Sequence, residues 1–319
     1  MPKIDVTELD IFYISYDEPN CEEHWADLLN KVPWAKRIHG VTGFDAAHKA
    51  AAEQSETERF ITIDGDNIVM PDFFDQSLDV PDKDDDGNDV SESIFSWNAK
   101  NLLNGLVYGN GGVKCWPTEY TKTISTHEAA TDGEGMEFCW KLNYIQLNDI
   151  FSEIHQTASP FQAFRAGFRE GVKMSLDQGK RVEPRDFEKQ IWHGNLSRLL
   201  VWCNIGSDVQ NGLWAIYGAR LGCQKATLTD WDTNLISDYA WFKEFFTDLE
   251  HDSEDILLDK INDLGRELNS EVTGMLLFEP DDVASKFFKK TYVNPRRWGV
   301  MVREKQIQDL IESGKLSGI

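Results

Sequence analysis

Basic residues are scarce in this sequence, with 32 Lys and Arg against 55 Asp and Glu and a formal charge of −23 at neutral pH. On average such a surface repels nucleic acid and anionic membranes, so any nucleic-acid contact needs a local basic patch. Long apolar runs are also missing: nowhere do about 18 apolar residues follow one another. The amino-terminal Met1-Pro2-Lys3-Ile4-Asp5-Val6-Thr7-Glu8 is acidic where a secretory signal would be basic and then apolar. The expectation is a soluble, cytoplasmic protein with no membrane partner. Cysteine is sparse and unpatterned. The five residues Cys21, Cys115, Cys139, Cys203 and Cys223 are odd in number and contain no C-x-x-C pair, which argues against a disulfide framework or a zinc site and for reduced thiols in the core.

What the sequence does have is apolar and aromatic mass. A hydrophobic fraction of 41%, an aromatic content of 12% and 11 Trp imply a folded globular protein. At about 150 residues per domain, 319 residues correspond to one large or two modest domains. Asp10 to Tyr16 reads as a buried first strand ending in the polar loop Asp17-Glu18-Pro19-Asn20. A helix follows around His24 to Leu29, and Asp45 is placed to cap a second, alanine-rich helix over Ala46 to Ala52. Arg59 to Ile63 is a β-rich run stopping at Asp64, and Ser93 to Trp97 is another strand. Strand, helix, strand with short links opens an α/β sheet. Beyond about residue 184 the period becomes helical, as in Leu196, Leu199, Leu200 and Cys203, so a catalytic domain over 1–183 and a mainly helical region over 184–319 are expected. The acidic stretch Asp82 to Asp89 lacks the closing Glu and ligand alternation of an EF-hand and reads as a solvated loop.

The chemistry concentrates in Ile63-Asp64-Gly65-Asp66-Asn67. Two aspartates one residue apart at a buried strand's end can both enter the crevice where sheet-end ligands bind, and Gly65 lets the backbone approach a ligand closely. Hard oxygen donors of this kind suit a divalent cation, which as a Lewis acid neutralises a departing diphosphate. An ordinary acidic turn is the plain alternative. The segment Tyr108 to Pro117 carries three glycines within four residues, then Lys114, which could meet a phosphate, and Trp116. It lacks the G-K-[ST] ending of a P-loop.

These elements, in this order over residues 10 to 175, resemble GT-A glycosyltransferases. The resemblance implies a nucleotide-sugar-binding domain with a mixed, mainly parallel sheet and a helical C-terminal region. It also implies Mn²⁺ or Mg²⁺ and a nucleoside-diphosphate sugar, by expectation UDP-linked. Tyr16, Asp17 and Glu18 would then contact the nucleoside, Asp64 the ribose and metal, and Asp66 the metal. The third metal ligand of the family is often a distant histidine, for which His155 is the choice and His127 the reserve. An inverting enzyme also needs a general base, and Glu137, beside the apolar Phe138-Cys139-Trp140, comes before Asp132. A retaining enzyme would need neither.

Asp64 to Val69, Tyr108 to Pro117 and Phe161 to Asp177 further resemble tailed-bacteriophage glycosyltransferases, some of which place arabinose or glucose on hydroxymethylcytosine in DNA. That would put the protein in the cytoplasm of a host cell. Two local clusters could then contact DNA: Arg165, Arg169, Lys173, Lys180, Arg181 and Arg185, and later Lys286, Lys289, Lys290, Arg296, Arg297, Trp298 and Arg303. The overall charge departs from that expectation. The competing readings are transfer to a protein or small molecule, a UDP-sugar mutase, and a non-enzymatic carbohydrate-binding or interaction protein.

Overall fold

Phe12 and Tyr13 are neighbours in the sequence and both fully buried, which requires the strand carrying them to be covered on both faces. The computed structural model describes residues 3–80, 83, 90–108, 111–126 and 142–292. Its strands are β1 (Lys3–Asp5), β2 (Asp10–Ser15), β3 (Lys36–His39), β4 (Arg59–Asp64), β5 (Asn67–Val69), β6 (Ser77–Asp79), β7 (Ile94–Asn101), β8 (Val107–Tyr108), β9 (Val113–Pro117) and β10 (Tyr144–Ile154). The helices are α1 (Cys21–Lys31), α2 (Phe44–Gln54), α3 (Thr118–Thr121), α4 (Pro160–Met174), α5 (Phe187–Gln190), α6 (His193–Asn204), α7 (Gly212–Leu228), α8 (Tyr239–Thr247), α9 (Glu254–Glu271) and α10 (Asp282–Thr291).

The protein is α/β, with one mixed sheet and helices toward the C-terminus. The sheet runs β3-β2-β4-β9-β7-β10-β5, with β8 beside β7, and β1 pairs with β6 separately. β3, β2 and β4 are mutually parallel, as are β7 and β10. The antiparallel β9 joins the two sets, and β5 runs antiparallel to β10. One face buries Ile11, Tyr13, Ile61, Ile63 and Trp97 against Leu28 and Val32 of the α1 region. The other buries Phe12, Phe60, Ile94 and Trp116 against Ala47, Ala51 and Ala52 of α2. With both faces covered, β2 and β4 read as continuous apolar runs instead of alternating ones. Asp45 does not cap α2: Gly43 holds that position, and the Asp45 carboxylate accepts from the Thr126 amide at 2.9 Å. A tertiary donor has taken over the side chain that local propensity assigned to the helix end.

A separate core is formed by α4, α6, α7, α8 and α9. It holds Phe164, Phe168 and Val172 of α4 together with Trp202, Ile216, Phe242 and Ile261. Among the tryptophans expected to form a core, Trp202 and Trp214 are buried and Trp192 is exposed. Cys21, Cys115, Cys203 and Cys223 are free and buried, and Cys139 lies outside the described residues. Ser159 caps α4 by accepting from the Gln162 amide, with Pro160 in the first turn. Arg220 ties the helices together, donating to the carbonyls of Cys203 at 2.9 Å, Ile261 at 2.8 Å and Phe278 at 2.5 Å. Among the described residues no helix is long and apolar enough to cross a membrane.

The contact between α4 and α7 is made backbone to backbone. A Cβ on Gly167 or Gly171 would lie 2.0 or 2.2 Å from the carbonyl oxygens of Ala215 and Ala219. One on Gly218 or Gly222 would lie 2.2 or 2.3 Å from those of Phe164 and Phe168. Neither backbone can yield without moving its helix. Gly171→Ala is therefore expected to destabilise the protein by about 1–3 kcal/mol despite alanine's better helix propensity. Urea unfolding monitored by tryptophan fluorescence measures it, and unchanged stability would contradict the seam.

Candidate functional site

β4 ends where its buried run stops, and the chain turns through Gly65 and Asp66 into β5. Several fixed groups hold this turn. The Asp64 amide donates to the Gly112 carbonyl at 2.9 Å, the Tyr13 hydroxyl to the Gly65 carbonyl at 2.7 Å, and the His155 amide to the Asp66 carbonyl at 2.7 Å. Gly112 has φ +81°, and a Cβ there would lie 2.2 Å from the Asn67 side-chain nitrogen. The glycine-rich segment thus lets β9 pass close enough to brace the turn.

The aspartates are treated differently. The Asp64 side chain, 38% exposed, lies 3.3 Å from Lys114 Nζ, whose own side chain is buried in the sheet. Asp66 accepts from Asn67 Nδ2 and Gln156 Nε2, each at 2.8 Å. Burial, then Asp64 and Glu18, push the Asp66 carboxyl from 3.8 up to about 6, against those two amide donors. Glu18 lies over the turn: a Cβ on Gly65 would be 2.7 Å from Glu18 Oε2, which accepts from the Tyr16 amide at 2.8 Å. Glu18, Asp64 and Asp66 thus border one turn and offer oxygen donors, with neutral donors on Asp66, but among the described residues they do not form a group of three ligand atoms within 4.8 Å of one another. That donor set fits a hard divalent cation.

The structure brings Tyr16, Asp17, Glu18, Asp64, Asp66 and Lys114 to the same end of the sheet. Asp17 is already engaged, accepting from the Tyr239 hydroxyl and, at 2.7 Å, from Lys243 Nζ. Burial alone would raise its carboxyl, but these bonds hold it below the usual range. Tyr16 meets Tyr239 edge to face, 5.6 Å between ring centroids. The backbone of His155 joins the turn, while its ring lies against His24 at 5.1 Å and its Nε2 stands 3.8 Å from Glu153 Oε2. Burial lowers the His155 pKa, which favours the neutral ring. Glu137, Asp132 and the reserve His127 lie outside the described residues.

Sequence reasoning did not find Gln156, the orienting donor for Asp66, nor the contribution of α8. Tyr239 and Asp17 are 222 positions apart, and no local pattern links them. The basic residues of α4 and of the segment after it are largely occupied. Arg169 donates to the Ile236 carbonyl at 3.0 Å, Lys173 pairs with Glu170, Arg181 donates to the Ala226 and Thr229 carbonyls at 2.6 Å, and Arg185 pairs with Glu271 at 2.8 Å. Lys289 pairs with Asp208 at 2.6 Å, Lys286 and Lys290 are exposed, and Arg296, Arg297, Trp298 and Arg303 lie outside the described residues.

The one group of three metal-ligand atoms lying within 4.8 Å of one another among the described residues, Cys21, Glu22 and His39, is already occupied by a cation of the chain. Arg37 donates to Glu22 Oε1 at 2.6 Å, lies 3.1 Å from His39 Nδ1 and approaches Cys21 Sγ at 3.5 Å. A scan against models of known protein families gives no match, and neither does a search of curated proteins.

The raised Asp66 pKa has a consequence for stability. A carboxyl whose folded value lies above its unfolded one contributes stability that is full below about pH 4 and lost as pH rises through about 6. Without metal, Asp66→Asn should therefore be more stable than the parent by on the order of 1–3 kcal/mol at pH 7, with the gap growing from pH 4 to 6 and level above. Urea unfolding of both forms across that range reads it, and a gap that shrinks toward pH 6 would contradict the assignment.

Proposed function

We propose that this chain is a metal-dependent glycosyltransferase of the GT-A type, moving a sugar from a nucleoside-diphosphate donor, by resemblance UDP-linked, to an acceptor hydroxyl. The observation that carries the reading is the placement of Asp64 and Asp66 on one turn at the end of β4, with Glu18 over Gly65 and a buried lysine beside Asp64. The charges of Asp64 and Glu18 disfavour an ionised Asp66, and a cation bound at the turn would relieve that cost.

Asp64 and Asp66 would hold Mn²⁺ or Mg²⁺, and such an ion supplies Lewis-acid neutralisation of the leaving diphosphate. Gln156 and Asn67 orient the Asp66 carboxylate, and Lys114 offsets the charge of Asp64 when no ion is held. His155 remains the proposed third protein ligand by resemblance, and its ring would have to leave His24 to serve. Tyr16 and the Asp17–Glu18 loop border the space for the nucleoside. Glu137, with Asp132 second, is the proposed base for an inverting reaction. The proposed acceptor is hydroxymethylcytosine in DNA, in the cytoplasm of a phage host, for which the exposed Lys180, Lys286 and Lys290 are candidate basic contacts among the described residues.

The protein incubated with Mn²⁺ and a panel of nucleotide sugars, with and without hydroxymethylcytosine DNA, should release nucleoside diphosphate. Asp66→Ala should lower that rate by about 100-fold or more. Turnover and metal-dependent nucleotide binding that survive Asp66→Ala would eliminate the site, and release that DNA does not stimulate would count against the DNA acceptor alone.

A further inference from the structure

α4 carries a cation, Arg165, whose hydrogen-bonding capacity its own chain leaves partly unused among the described residues. Arg165 Nε is buried and finds no acceptor among the described residues. Its guanidinium lies 5.0 Å from the Tyr239 ring centroid and 5.5 Å from that of Phe242, so two aromatic rings of α8 support the group. The charges acting on it come from the helices and from the end of the sheet. Burial and Arg169 draw the Arg165 pKa down to about 10, against Tyr239, Glu18 and Asp66, and the group stays cationic at neutral pH. The other described basic residues from Arg169 to Arg185 with a distinct partner are taken up by carbonyls or carboxylates of the helical region. Arg165 is held by rings instead of acceptors.

A guanidinium presents a rigid, planar fork of donors that matches two oxygens of a phosphate, and holding it on aromatic rings reduces the entropy lost when those bonds form. Arg165 sits on the same helix turn as Phe164 and Phe168, whose carbonyls abut the Gly218–Gly222 side of α7, so its backbone is held firmly. We propose that Arg165 binds the diphosphate of the nucleotide ligand, the helical region thereby supplying the anion-binding wall opposite the carboxylates of the sheet. This rests on the nucleotide-sugar reading above and adds to it a role for the C-terminal helices. As the sugar–oxygen bond breaks, the bonding electron pair stays with the terminal phosphate, and Arg165 is a fixed positive charge positioned to receive it.

Calorimetric titration of the full chain with Mn²⁺ alone, and with Mn²⁺ plus pyrophosphate or UDP, separates this role from a structural one. In Arg165→Gln the affinity for Mn²⁺ alone should be kept or increased, because a cation near Glu18 and Asp66 is gone. The affinity for pyrophosphate and UDP should fall at least tenfold. Arg165→Lys, which keeps the charge and loses the fork, should show a smaller loss with Mn²⁺ binding intact, and it serves as the reading if the Gln variant does not fold. Unchanged pyrophosphate affinity in a folded variant overturns the proposal, as does parallel weakening of Mn²⁺ and pyrophosphate. Failure of the parent protein to bind pyrophosphate or UDP with Mn²⁺ would instead remove the nucleotide-sugar reading, and this proposal with it.

Discussion

The close approach of α4 and α7 is the constraint on which the rest of the molecule depends. Four glycines allow the helices to meet at their backbones, with no side chains between to absorb a shift. α4 follows β10 by a five-residue link, so one partner of the seam is joined closely to the sheet. Through Gln162, α4 donates to Asn20 of the first loop at 3.2 Å and to the His155 carbonyl at 3.3 Å. α4 is therefore tied directly to residues that flank the Asp66 turn.

At that turn the electrostatics are locally unfavourable. Asp66 is driven up by burial and by its like-charged neighbours, while Asp64 is left to Lys114. Elsewhere the chain resolves comparable clusters internally. Arg37 fills the Cys21, Glu22 and His39 cluster, and Lys243 and Tyr239 satisfy Asp17. A site that tolerates a carboxylate at about 6 when arginines and lysines are available nearby has given up stability in one place, which is where function is expected.

The two basic clusters show how composition and structure can separate. Arg165 to Arg185 reads as one positive stretch in sequence, yet the fold disperses it. Arg181 holds the end of α7, Arg185 reaches α9, and Arg165 lies over the Tyr239 ring of α8. Spacing along a chain says which residues share a helix face, but the partners waiting on that face are contributed from elsewhere.

The sequence by itself determined β2, α1, α2, β4 and β7 in their order, the α/β class with later helices, and the placement of Asp64 and Asp66 at a strand end, but not the short strands β1, β3, β5 and β6. What it determined follows from periodicity, propensity and the point where an apolar run stops, all of which are local. Only the tertiary structure decided that β9 runs antiparallel between two parallel sets, that Asp45 serves Thr126 and not the helix end, and that the His155 ring lies against His24. It alone brought Gln156 to Asp66 and Tyr239 to Asp17, contacts 90 and 222 positions apart. Such pairings depend on which surfaces pack, and packing is set by the whole chain's excluded volume and burial, which no short window of sequence contains.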